Sequence, residues 1–309
     1  MNDFGDFTKS APTGPSTGPF AQSTPPDAFT AGGPRTTSPW LGLVDILVGW
    51  VVPFLGAAFL GLIVLIATGE IDIEGEATSA DLDVTPTVII FGGMLPLIVG
   101  CLGALAVQKF SLGPVRDWRI KFKPVDIPIG LGIAVFSVFV VGTVAWSLTQ
   151  LVGLEEQTSN TGLLTDATGF AVVLAVFLAV IVAPITEEIM FRGMFLRIFE
   201  RIGSHVGGKV VGWVTGAVVS TVVFGLLHQS DDPGWANFIV VAGSISVIGL
   251  ILAIAALYFD RIGPTIWAHF FFNAWGVAAA LWLGDYLEDL VESENESVEA
   301  IIRVLTLGL

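Results

Sequence analysis

Seven long apolar windows restrict the fold of this chain more than any other feature of its sequence. They lie near residues 43–67, 86–108, 126–152, 169–190, 210–228, 236–258 and 262–283. A helix needs about 20 apolar residues to cross the hydrocarbon core of a bilayer, which is about 30 Å thick. A spanning segment must also pair its own backbone groups, which a helix does. The windows therefore predict an all-α, polytopic helical membrane protein with about seven transmembrane helices.

The composition excludes an ordinary soluble domain, because 53% of the residues are hydrophobic and 13% are charged. The formal net charge of −15 argues against nucleic acid as a partner, since phosphate contacts need cations. Acidic aqueous segments of this kind also indicate a halophilic host. We therefore expect an integral protein of the cell membrane, with the lipid bilayer around it.

The distribution of cations predicts the orientation. Basic residues cluster at 109–123 and 197–209, whereas the intervening loops are acidic, at 70–83, 155–166 and 231–232. Cytoplasmic loops carry an excess of Lys and Arg. The N-terminus is therefore predicted to be cytoplasmic and the C-terminus outside.

The ends of the chain differ from its centre. Residues 1–39 are rich in Pro, Gly, Ser and Thr and predict a disordered cytoplasmic tail without a cleaved signal peptide. Residues 40–284 form the predicted transmembrane domain. Residues 285–309 are acidic, and their apolar residues predict an amphipathic C-terminal helix that packs on the protein. Cys101 is the single cysteine and cannot form an internal disulfide.

Two adjacent carboxylates end the fourth window. Glu188 and Arg192 are four residues apart in a helix, with the acid first, which predicts an ion pair. Glu187 points about 100° away from Glu188 on a helix, so it can face a cavity as a free carboxylate suited to general base catalysis. Two glutamates that reach water beside Arg192 would explain this segment equally well. Pro184 predicts a kink just before the pair.

Polar side chains also interrupt the fifth and seventh windows. His228 ends the fifth window, and a lone histidine there is typical of an interfacial or hydrogen-bonded core residue. His269 and Asn273 lie on one helical face, so an imidazole and a carboxamide point the same way. A polar clamp between helices is the structural alternative. At the start of the third window, Asp126 is explained by helix capping.

Together, EExxxR at 187–192, FxxxH at 224–228 and HxxxN at 269–273 resemble the motif set of the CPBP family. This family contains CAAX-protease and bacteriocin-processing (Abi-like) intramembrane endopeptidases, including the Ras-converting-enzyme type of CAAX prenyl protease. The resemblance covers a motif-bearing core at about residues 125–285. It implies a helical membrane fold around a polar intramembrane cavity, and it makes residues 40–284 a transmembrane protease domain.

The resemblance implies an endopeptidase that hydrolyses peptide bonds of membrane-anchored or membrane-spanning proteins, as in CAAX-type or leader processing. Carried over by position, Glu187 is implied to be the catalytic base on water, and His228 to hold that water or a metal. His269 and Asn273 are implied to complete the site, either as metal ligand and orienter or as donors to the oxyanion.

Glu188 and Arg192 are implied to hold the catalytic glutamate in place. Two mechanisms stay open. Glu187, His228 and His269 could bind a divalent metal such as zinc with an open coordination position. A metal-free Glu–His pair could equally activate water while an amide stabilises the oxyanion.

Two other functions fit part of the pattern. Buried Glu and His residues also mark proton pathways, so a proton- or ion-coupled transporter is one alternative. The two halves of the sequence show no repeat, which argues against it. A non-catalytic membrane scaffold or immunity protein is the other alternative, and the intact motifs argue against that.

The predicted boundaries create one conflict. Glu187 lies near the cytoplasmic end of the fourth window, whereas His228 lies about 19 residues into the fifth, or about 27 Å along a helix. For the two side chains to meet, helices four and five must project past the membrane or span five must tilt strongly.

Overall fold

The structure, a computed structural model, describes residues 38–71, 84–111, 118–154, 164, 167–228 and 234–283. These residues are helical or irregular, and none lies in a strand. The all-helical class is therefore confirmed for the described chain. The predicted tail up to residue 37, the C-terminal helix at 285–309 and most acidic loop residues lie outside the described residues.

Six helices build the described chain. They are α1 (Leu41–Ala67), α2 (Val88–Met94 and Leu95–Ser111), α3 (Asp126–Val152), α4 (Phe170–Leu226), α5 (Trp235–Phe259) and α6 (Gly263–Ala278, with a π-helical turn at Ala279–Leu283). The first five are long and apolar enough to cross a membrane. This supports an integral membrane protein, but the count of seven spans is not confirmed. The fourth and fifth windows join in α4, and α6 has 16 residues.

Helix α4 bends back on itself at Gly207 and Gly208. Gly208 has φ +80°, a conformation that glycine adopts readily, and Gly207 is also non-helical. The first arm (residues 170–206) and the return arm (residues 209–226) pack side by side. Close to the bend, a β-carbon at Gly216 would lie 2.7 Å from the Leu196 carbonyl oxygen, so glycine permits the close approach.

This bend resolves the conflict over depth. The fourth window was predicted to end at residue 190, but the helix continues to the bend. Glu187 lies 20 residues before Gly207, and His228 lies 20 residues after Gly208. Because these two stretches are equally long and antiparallel, the two side chains return to the same height. The equal distance of both residues from the bend brings them together.

The first arm passes through two different surroundings. Its residues 190–202 lie in the larger apolar cluster, which also includes Trp50, Cys101, Trp118 and Leu252; we call this the packed half. Its residues 171–178 lie in a smaller cluster with Ile89, Leu164 and Val277; we call this the cavity half. Glu187 and Glu188 stand at the border between them.

A set of ion pairs closes the end of the packed half, and we call it the charged face. Arg261 Nη2 donates to Asp126 Oδ1 at 2.7 Å, and Asp126 is fully buried. Arg119 and Arg197 both approach Asp260, at 3.2 and 3.6 Å. Asp126 therefore does more than the predicted capping, because it ties the start of α3 to the turn between α5 and α6.

Candidate active site

The predicted ion pair between Glu188 and Arg192 is present and completely buried. Arg192 Nη1 donates to Glu188 Oε1 at 2.8 Å, and neither side chain has solvent exposure. Arg192 Nη2 donates to the Gly249 carbonyl oxygen at 3.0 Å, and the guanidinium carbon lies 4.5 Å from the centre of the Phe224 ring. The cation is thus held by a carboxylate, a backbone carbonyl and an aromatic face.

The same carboxylate orients His269. The Nδ1 atom of His269 lies 3.0 Å from Glu188 Oε1. An ionised carboxylate only accepts hydrogen bonds, so Nδ1 carries the proton in this contact. That leaves Nε2 on the opposite side of the ring, where it lies 3.7 Å from Glu187 Oε2. Glu188 and Arg192 therefore hold His269, whereas the resemblance had implied that they hold Glu187.

Glu187 borders a cavity of about 250 Å³. His228, His269 and Asn273 line the same cavity, so four of the six predicted site residues meet there. The Glu187 side chain is 12% exposed, in contrast to the fully buried Glu188. The other walls are mainly apolar, including Leu178, so the predicted polar character of the cavity is not confirmed.

His228 is fixed through its Nδ1 atom. That atom lies 2.7 Å from the Phe224 carbonyl oxygen, and the two rings are 4.6 Å apart. Because a carbonyl oxygen accepts, Nδ1 again carries the proton and Nε2 is the acceptor. Both histidines are thus held at Nδ1 by a hydrogen-bond acceptor.

Asn273 donates to a carbonyl that the helix itself cannot satisfy. Its Nδ2 lies 2.8 Å from the Ala179 oxygen. The turn at Leu178–Val182 is π-helical, and the Ala183 N–H donates to the Leu178 oxygen, five residues back. In that register the next donor, for Ala179, would come from residue 184. Residue 184 is Pro and has no N–H.

This hydrogen bond is the interhelical clamp that was left open as an alternative. It ties α6 to the first arm about two turns before Glu187. An Asn side chain has two N–H donors, so a second donor remains beside the cavity. Wide π-helical turns at Leu178–Val182 and Ile189–Phe195 flank the segment Ala183–Glu188 that carries both glutamates. Such turns are frequent at functional sites.

Residues 169–275 match the family of type II CAAX prenyl endopeptidase Rce1-like proteins. The resemblance to the CPBP family is confirmed. The matched range contains the three motifs at 187–192, 224–228 and 269–273, and the family indicates a hydrolase of the intramembrane CAAX-type endopeptidase class. No curated protein and no solved structure matches the chain.

Sequence reasoning missed several groups around this site. The backbone carbonyls of Ala179 and Gly249 accept hydrogen bonds from Asn273 and Arg192. A sequence does not show which backbone carbonyl accepts a hydrogen bond from a side chain. Gly249 also lies in an apolar window, and both adjacent residues are apolar. Pro184 was a usable signal in the sequence, since its missing N–H predicts an unpaired carbonyl one turn earlier.

The predicted zinc ligands do not form a metal group as they stand. Across the residues that the structure describes, no three His, Cys, Asp or Glu side chains are placed to hold a metal ion. Glu187, His228 and His269 are the right donor types for zinc and line one cavity, so a metal bound there stays a prediction. The mechanism proposed below contains no metal step.

Proposed function

We propose that this chain is an intramembrane endopeptidase that hydrolyses peptide bonds of membrane-associated proteins with water activated by Glu187. The observation that carries the proposal is the contact of the Glu187 carboxylate with His269 in a cavity, where a buried ion pair fixes the histidine. The family match to CAAX-type endopeptidases supports the same chemistry. A carboxylate beside an oriented imidazole is an arrangement suited to proton transfer.

In the proposed reaction a water molecule lies between Glu187 and Nε2 of His228. Glu187 takes a proton from the water as its oxygen bonds to the carbonyl carbon of the substrate. The carbonyl oxygen becomes negatively charged and is stabilised by the second N–H of Asn273 and by His269 when its Nε2 is protonated. The C–N bond then breaks, and the proton held by Glu187 passes to the departing amine. The products are a carboxylic acid and an amine.

Glu188 and Arg192 take a positioning role in this scheme. Since Glu188 accepts from Nδ1 of His269, it sets the face that the ring presents to Glu187. The hydrogen bond made by one ring nitrogen sets which nitrogen of a histidine carries the proton. Their effect on catalysis therefore passes through His269.

The experiment is hydrolysis of a library of membrane-tethered peptides by the purified protein in lipid nanodiscs. Wild type is compared with Glu187→Gln and with Glu200→Gln, a matched change near the charged face. We expect cleavage by wild type and Glu200→Gln and none by Glu187→Gln. Equal cleavage by all three proteins would remove Glu187 from the mechanism. If the protein instead moves protons without cleaving any peptide, the transporter alternative replaces the proposal.

The metal-dependent version is tested in the same assay. It would use Glu187, His228 and His269 as ligands, and the metal would polarise the carbonyl and the water. Metal content is measured for wild type, His228→Ala and His269→Ala, and activity is measured with and without a strong chelator. Full activity of metal-free protein supports the glutamate mechanism. Loss of activity with chelator, restored by zinc, supports the metal version.

A further inference from the structure

The cavity lies on one side of the glutamate pair, and dense packing lies on the other. From Glu188 to Arg197 the first arm covers nine residues, or about 14 Å. Within this stretch Met190, Phe191 and Met194 are at most 2% exposed. They belong to the larger apolar cluster, which fills the space between the site and the charged face. Among the described residues, this stretch of the first arm is therefore closely packed on the side of the charged face.

On α6 and on the first arm, the cavity extends away from the charged face. On α6 its lining begins at His269 and continues to Val277, while the helix starts at the charged face with Gly263. On the first arm the lining runs from Glu187 back to Ala175. The remaining walls include the start of α2 and Leu164, which lies between α3 and α4.

We propose that water and substrate reach Glu187 from the side that carries the α1–α2, α3–α4 and α4–α5 connections, opposite the charged face. This rests on the proposed function, because it specifies the substrate of that same site. The distance along the first arm is longer on that side, because 18 residues separate Phe170 from Glu188 whereas nine separate Glu188 from Arg197. It is nevertheless the side where space exists.

The sequence of these connections defines the kind of substrate. Residues 68–87, 153–169 and 229–234 contain eleven Asp or Glu residues and no Lys or Arg. Their negative potential favours neutral or cationic chains and disfavours acidic ones. The apolar cavity walls favour an apolar segment at the cleaved bond. The substrate is therefore a membrane-anchored protein whose apolar, non-acidic juxtamembrane segment lies on the acidic side. With the orientation predicted by the basic clusters, that is the outer side.

Thiol labelling tests the route without requiring turnover. Single cysteines are placed in the cavity as Ala175→Cys and Val277→Cys, each in a Cys101→Ala background. Both native side chains line the cavity and are 7% and 6% exposed. Natural Cys101 is 3% exposed in the packed half and is the matched control.

Two exposed positions report the side that a reagent reaches. Thr68→Cys marks the acidic side and Lys123→Cys marks the charged face, since both native residues are exposed. Right-side-out and inverted membrane vesicles are treated with small membrane-impermeant methanethiosulfonates, one cationic and one anionic. The initial labelling rate of each cysteine is then compared.

We expect the two cavity cysteines to be labelled in the same vesicles as Thr68→Cys, at least about 10-fold faster than Cys101 and faster with the cationic reagent. Labelling in the same vesicles as Lys123→Cys would overturn the route, and so would no labelling from either side. Equal rates with both reagents would overturn the charge preference. Loss of the proposed function would appear differently, as correct labelling without peptide cleavage.

A second readout uses two tethered peptides that differ in the side of the anchor on which the cleavable segment lies. Reconstituted protein should cleave the peptide presented on the acidic side at least about 10-fold faster. Equal or reversed rates would overturn the substrate assignment.

Discussion

The packed half and the cavity half give two neighbouring glutamates opposite surroundings. Glu188 faces the packed half, where it forms a buried network with Arg192, His269 and Gly249. Glu187, the preceding residue, faces the cavity half and keeps 12% of its side chain exposed. A rotation of about 100° between neighbours on a helix separates the buried, paired carboxylate from the one that we propose to be reactive. The identity of a residue therefore says less about its role than the half it faces.

The two halves also differ in what a mutation costs. A polar group in the packed half has no water to replace a lost partner, so removal of one charge leaves the other buried and unpaired. A polar group in the cavity half can exchange a protein partner for water. We therefore expect changes in the packed half to affect folding and changes in the cavity half to affect turnover.

The largest effect on turnover is expected for Glu187→Gln. The amide keeps the shape of the carboxylate but cannot take a proton from water, and general base catalysis contributes about 10²- to 10⁴-fold. We expect kcat to fall by about that factor, while the thermal unfolding midpoint in detergent stays close to wild type. A variant that unfolds at a clearly lower temperature would mean that Glu187 has a packing role like that of Glu188.

The largest effect on stability is expected for Glu188→Gln. It leaves the Arg192 guanidinium buried without its counter-charge, and breaking a buried pair in this way typically costs about 3–5 kcal/mol. The measurement is the free energy of unfolding in mixed micelles with increasing denaturant. The matched control is Glu200→Gln, because Glu200 pairs with Arg197 and is partly exposed. If both variants lose equally little, the packed half tolerates an unpaired charge and the contrast between the halves fails.

The contrast between the halves could be read from the sequence only where it depends on local spacing. The Glu188–Arg192 pair and the shared face of His269 and Asn273 follow from four-residue helical spacing. The extent of α4 could not be read from the sequence. Arg197 and its charged neighbours lower the hydropathy after residue 190, which suggested a loop. In the structure the Arg197 charge is paired with Glu200, so the helix continues.

The remaining site contacts depend on tertiary structure. Glu188 and His269 are 81 residues apart, and Arg192 and Gly249 are 57 apart. No local pattern reports which helices become neighbours. The Gly207–Gly208 pair was visible in the sequence, and its role as a bend that matches the heights of Glu187 and His228 required the packing of both arms.

A smaller effect is expected for Asn273→Ala, which removes a donor from the cavity half. Loss of one oxyanion donor typically lowers the rate by about 10²- to 10³-fold. We expect kcat to fall with little change in KM, and Asn273→Asp to be worse because it adds negative charge where the oxyanion forms. A rise in KM at unchanged kcat would mean that Asn273 holds substrate and does not stabilise the oxyanion.

The smallest effect concerns the clamp between Asn273 and Ala179, and it separates the two roles of this side chain. In wild type, Asn273→Ala should also destabilise the fold, because the Ala179 oxygen loses its partner and an unsatisfied buried group costs about 1–3 kcal/mol. Pro184→Ala supplies a backbone N–H at the position that would serve this oxygen. In the Pro184→Ala protein, the loss of unfolding free energy caused by Asn273→Ala should be smaller by about 1 kcal/mol or more.

The measurement is a double-mutant cycle on the free energy of unfolding and on kcat, with wild type, both single variants and the double variant. A clamp predicts coupling in stability, since proline creates the need that asparagine meets. An oxyanion donor predicts that the loss in kcat persists in both backgrounds, because a backbone N–H at residue 184 bonds to Ala179 and not to the substrate. Independent effects on stability would show that the Ala179 oxygen does not depend on Asn273. Full recovery of kcat in the double variant would show that Asn273 acts on Glu187 through the position of the first arm alone.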